Sequence, residues 1–122
     1  VHIGITPQDE IDAIRQEANG ALRVLATYDR EGYDPIYVRG DVEPKVETVA
    51  EEIHDELVIQ GMGREYLEQL FEAGELHCSM HRFDEITTFH FLDERFTGLF
   101  ASIDSGADIR LATFADRCRE LL

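Results

Sequence analysis

Cysteine is scarce in this chain: Cys78 and Cys118 are the only two in 122 residues, and each sits inside an apolar pattern. That leaves no disulfide framework and no paired CxxC metal site, fits a reducing cytoplasm, and makes both thiols core filling. Lysine is scarcer still, with Lys45 the single example among 11 basic residues set against 26 acidic ones. Such a shortage of cations argues against binding to a phosphate backbone, which relies on Lys and Arg to neutralise charge, so nucleic acid is not an expected partner. The charge-free runs fall far short of the ~18 residues that a membrane span needs, and no basic-then-apolar leader opens the chain. No membrane segment is expected. Catalytic signatures are missing too: there is no Gly-x-Ser-x-Gly, no HExxH pair and no acidic calcium loop. Gly61-Met62-Gly63 lacks both the following Gly-Lys-Ser/Thr and the preceding strand of a phosphate loop. Pairs such as Glu51-Glu52 arise by chance in so acidic a chain and read as a solvated face. No catalytic residue and no cofactor is assigned.

What is abundant is carboxylate. A formal net charge of −15 reads as adaptation to very high salt, where self-repulsion is screened to about 3 Å at 1 M. The apolar fraction of 43% excludes a wholly disordered chain. The length predicts one domain over residues 1–122, with a core that needs no staples.

Periodicity divides the chain into eight or nine elements. Thr6 can cap a helix over residues 7–18, with Pro7 at its first position and Asn19-Gly20 as its stop. Residues 22–28 alternate with apolar side chains on both faces, which predicts an interior strand. Asp29-Arg30-Glu31-Gly32 is a turn, and Ile36-Tyr37-Val38-Arg39 is the returning strand, with Pro35 tolerated at its start on an edge. Val46, Val49, Ala50, Ile53 and Leu57 then follow helical spacing. Gly61-Met62-Gly63 interrupts that helix before a second stripe of Leu67, Leu70 and Phe71 that ends at Gly74. Residues 75–82, 86–92 and 95–103 form a β-meander. After Ser105-Gly106, Asp108 is placed to cap a closing helix carrying Leu111, Phe114, Ala115, Cys118, Leu121 and Leu122.

Three groups of residues are candidates for function. In the meander, Leu76, Cys78 and Met80 should share a face with Phe89 and Phe91, which sends His77, Ser79, His81 and His90 to the other. His90 then lies across from His77 or His81, near enough for a pair of imidazoles to share a metal. His77 and His81, roughly 13 Å apart along a strand, cannot easily both join. The plain alternative is a set of half-exposed or hydrogen-bonded rings. A second group, Val58, Ile59 and Met62, continues the middle helix beyond what one sheet face needs, and such surplus is commonly buried between subunits. Tyr37, Arg39 and Asp41 form a third, polar group that could meet a partner or simply guard an edge strand.

The order α-β-β-α(α)-β-β-β-α defines an α+β fold with an antiparallel sheet of about five strands, and it resembles the roadblock/dynein-light-chain topology, more loosely the profilin-like group. In texture, Tyr37-Val38-Arg39-Gly40-Asp41-Val42 and the run from Tyr66 to Gly74 are similar to an uncharacterised haloarchaeal protein family. The roadblock resemblance implies a homodimer or heterodimer that scaffolds or regulates small GTPases and is not itself an enzyme. The Gly-interrupted middle segment departs from that pattern where such proteins often place a dimer helix. The expectation is therefore a cytoplasmic scaffold or regulatory module of a halophilic archaeon, working through protein partners. The alternative is a sensory domain that binds a small ligand or metal on the His77/His81/His90 face.

Overall fold

In the computed structural model, which describes residues 8–94 and 96–122, the hairpin of β1 (Leu22–Tyr28) and β2 (Tyr33–Val38) joins a meander of β3 (Cys78–Arg82), β4 (Ile86–Leu92) and β5 (Gly98–Asp104). The five strands form one sheet in the order β2-β1-β5-β4-β3, and every pairing is antiparallel. β1 is interior and buried along most of its length, as its two apolar faces require. The expected Thr6-Pro7 helix start lies outside the described residues.

Two unequal cores flank the sheet. On one face, α1 (Gln8–Glu17) and α4 (Leu111–Arg119) bring Ile14, Phe114 and Cys118 onto Leu25, Phe89, Phe91, Leu99 and Ile103. Phe89 stacks on Phe91 and meets Phe114 at 5.1 Å between ring centroids. Cys118 is fully buried, its thiol pKa raised by desolvation, and half-buried Cys78 packs at the same core. The other face is thinner: Val24 and Ala26 meet Val42 and Val46. Here α2 (Glu43–Met62) and α3 (Arg64–Phe71) connect β2 to β3, the two opposite edges, so the helices must cross the sheet.

Local chemistry accounts for most boundaries. Asn19 and Gly20 both take positive φ, 51° and 82°, which ends α1. In the β1–β2 turn the Asp29 carboxylate accepts the N–H groups of Glu31 and Gly32. β2 begins at Tyr33 rather than after Pro35, because a bulge opposite Leu25 and Ala26 takes up Ile36 as an extra residue. Asp108 does not cap α4. The chain stays extended at Arg110 (φ −74°, ψ 101°), with no side-chain cap, while Ile109 packs on the core.

Gly98 is fixed by a close approach. A Cβ there would lie 2.3 Å from the Phe91 carbonyl oxygen and 2.8 Å from the Tyr28 ring. The carbonyl belongs to the β4–β5 ladder and cannot retreat. Gly98→Ala is therefore expected to destabilise the fold by about 3 kcal/mol or more. Urea melts in high KCl check this, and a midpoint equal to that of the parent would refute it.

Candidate interaction surface

The thin face is held by polar groups where it lacks apolar ones. Tyr28, at the end of β1, donates its hydroxyl to Nε2 of His90 on β4, and Nδ1–H of His90 donates to Oε1 of Gln60 on α2 at 2.9 Å. His90 is 3% exposed. Desolvation, helped by the charge of His81, pushes its pKa down to about 4, so the ring is neutral and bridges sheet and helix. Burial likewise raises the Tyr28 pKa, keeping its proton available. His54, on the preceding turns of α2, reaches the Asp29 carbonyl at 2.6 Å and meets the Tyr28 ring edge-on.

Beyond Gln60 the helix breaks at Gly63, and α3 is held at its polar side by hydrogen bonds. Arg64 donates to the Asp93 carbonyl at 2.6 Å and to Glu68 at 3.2 Å, while Glu68 also accepts the Leu76 N–H at 2.7 Å. The helix ends at Glu72 in the left-handed conformation, φ 49°, so it stops short of Gly74. No residue of α3 is buried. Its apolar stripe, together with the last turn of α2, stands open: Ile59, Met62, Tyr66, Leu67, Leu70 and Phe71 are between 38% and 71% exposed.

The three candidate groups fall in different places. Ile59 and Met62 belong to this open stripe, with Val58 half-buried beside them. Tyr37 and Arg39 do not join it. Tyr37 packs on the opposite core under the Arg15 guanidinium, 4.7 Å from its ring centre. Arg39 is committed within the chain: it clamps Asp104 at 2.7 and 3.1 Å and Asp41 at 2.7 and 3.1 Å. Those bonds hold both carboxyls below the ordinary carboxylate range. The strand register is as alternation requires, with Cys78 opposite Phe91, Ser79 opposite His90 and Met80 opposite Phe89. The imidazoles are nonetheless not gathered. His77 precedes β3 and its Nε2 lies 3.2 Å from Arg119 of α4. His81 is exposed, and both nitrogens of His90 are engaged. Among the described residues no group of three or more His, Cys, Asp or Glu is placed to hold a metal.

A five-stranded antiparallel sheet with α1 and α4 on one face and a helical crossover on the other is a roadblock-like fold. Among solved structures, Myxococcus xanthus MglB superposes with a TM-score of 0.58 at 15% identity, covering 93% of this chain and 91% of that one. No curated protein matches the chain. Residues 9–122 match the model of the family described as Domain of unknown function (DUF7522), and the chain belongs to that family. No helix among the described residues is long and apolar enough to cross a membrane.

Proposed function

We propose that this protein is a non-enzymatic regulatory scaffold in the cytoplasm of a halophilic archaeon, acting through protein partners that include a small GTPase. The observation that carries the reading is the open apolar stripe on α2 and α3. Large apolar side chains concentrated on one helix face mark an interaction site, whereas scattered ones do not. The roadblock-like fold supports the same reading, since the resemblance drawn from element order implies GTPase scaffolding. A homodimer fits alongside it. β3 is a sheet edge of five residues, with Met80 46% exposed in its middle and Phe83 58% exposed just beyond it, a surface on which a second copy can pair edge to edge.

The sensory alternative draws less support, because His90 spends both ring nitrogens inside the protein. Purification of the tagged protein from cells in native salt tests the scaffold reading. A small GTPase should accompany the wild type, fall away from Leu70→Ser, and change its rate of nucleotide exchange or hydrolysis when the wild type is added back. Absence of any GTPase, or an unchanged rate, would overturn the reading.

A further inference from the structure

We infer that the stripe formed by the last turn of α2 and by α3 is the docking site for a basic amphipathic helix of a partner protein. The inference rests on the scaffold reading and adds the chemistry of the partner.

The first step is energetic. An eight-residue helix that buries no side chain is too short to be stable by itself in water. Arg64 and Glu68 anchor α3 by its polar side, while its apolar side chains Tyr66, Leu67, Leu70 and Phe71 stay between 38% and 71% exposed. Ile59 and Met62 are spaced i, i+3, Tyr66 and Leu70 i, i+4, and Leu67 and Leu70 i, i+3, so each helix presents a continuous ridge. Six large side chains exposed to this degree carry several hundred Å² of apolar surface, approaching the ~800 Å² that each partner gives to a stable interface. At the joint of the two helices a cleft of about 330 Å³, lined by Gly61, Met62, Arg64, Glu65 and Phe96, is large enough for an anchoring side chain.

Charge decides which occupant fits. Residues 51–75 contain eight carboxylates and one cationic side chain, Arg64. The Arg64 charge is already given to Glu68. A second copy placed on this face would oppose two acidic rims, and anionic lipid or nucleic acid would be repelled in the same way. A helix with an apolar face flanked by Lys or Arg meets the stripe with its leucines and the rim with its cations, whose methylene stems cover apolar surface as well. Pairs that the docked helix partly buries are screened less by salt than the long-range repulsion is, so part of the preference survives in a halophile.

The test uses two fluorescein-labelled peptides of about 18 residues, long enough to span the stripe at 1.5 Å per residue. Both carry the same leucine face, one with lysine flanks and one with glutamate flanks. In ~1 M KCl the lysine peptide should bind saturably, one per chain, and at least tenfold more tightly than the glutamate peptide. Leu70→Ser and Tyr66→Ser should each weaken it tenfold or more, whereas Thr113→Ala on α4, across the sheet, should not. The double variant Glu65→Lys/Glu72→Lys should narrow or reverse the preference. All these positions are exposed, and unchanged circular dichroism and melting would show that lost binding is not lost folding. Equal affinity for both peptides, or full binding by Leu70→Ser, would overturn the proposal. So would sedimentation showing that Leu70→Ser abolishes self-association of the wild type, since a second copy would then occupy the face. A GTPase that leaves with Leu70→Ser while the two peptides bind alike would retain the scaffold and remove the basic helix, so the two readings fail separately.

Discussion

Lowering the pH from ~7 to ~4 at fixed molar KCl is expected to take roughly 3 kcal/mol from the folded state through His90 alone. Its pKa falls from the ordinary 6.5 to about 4, first because of burial and then because of the His81 charge. The sign follows from proton counting. Below pH 6.5 the unfolded chain takes up a proton that the folded chain refuses until about pH 4, so stability declines across that window and levels off beneath it. A protonated ring could no longer accept the Tyr28 hydroxyl while donating to Gln60, and the bridge from sheet to α2 would have to rearrange. The charged neighbours do not blur the window. Arg64 and Asp93 act on Tyr28 with opposite signs. The Arg39-bound carboxyls of Asp41 and Asp104 have depressed values, so their contribution is present above the ordinary 3.8 and is lost only below it. Acid also neutralises surface carboxylates, which relieves repulsion, but molar salt has already screened that term. Urea melts at pH steps between ~7 and ~4 on the wild type and His90→Gln measure the effect. The variant should be the less pH-dependent of the two, and equal slopes would discard the His90 account.

Legibility in the sequence followed the range of the interactions. The meander register could be read because parity is local: only one alternation puts Cys78 and Met80 on the face of Phe89 and Phe91, and the pairing obeys it. Asn19-Gly20 and Asp29 announced their turns by the same local logic. The bridge between Tyr28 and His90 spans 62 positions, and the clamp of Arg39 on Asp104 spans 65, so neither leaves a local pattern. A faint signal did exist: a histidine between two phenylalanines in an apolar strand must either be exposed or find partners, and His90 found two. Tyr37, Arg39 and Asp41 are close in sequence, but the bulge at Ile36 turns Tyr37 onto the large core, and the Asp104 carboxylate captures Arg39. For Leu67, Leu70 and Phe71, periodicity correctly gave a helix with an apolar stripe. It could not say whether that stripe faces the sheet, because the edge-to-edge crossing depends on strand order, which is set by the whole chain.

Thermal melts in KCl should show the other large effect, a midpoint more than about 10 °C higher at ~3 M than at ~0.1 M, as expected if screening returns about 3 kcal/mol to a domain of this size. The repulsion is concentrated where the fold is thinnest. Glu51, Glu52, Asp55 and Glu56 are all exposed on consecutive turns of α2, which puts Glu51 over Asp55 and Glu52 over Glu56 as like-charge i, i+4 pairs, each costing about 0.2–0.5 kcal/mol at low salt. On its sheet side α2 buries only Val46 and Leu57, so little apolar contact offsets that cost. Salt also weakens ion pairs, Arg39–Asp104 among them. Partly exposed pairs contribute at most about 1 kcal/mol each, so with a net charge of −15 the relief of repulsion outweighs their loss. The replacement Glu51→Gln/Glu52→Gln/Asp55→Asn/Glu56→Gln separates this account from a general salting-out of apolar surface. It should raise the midpoint at ~0.1 M by several degrees and leave that at ~3 M nearly unchanged, because screening has by then removed what the substitutions remove. Equal midpoints of the wild type at the two salt concentrations would eliminate the halophilic reading. An equal gain from the quadruple variant at both would assign the effect to helix propensity instead of charge.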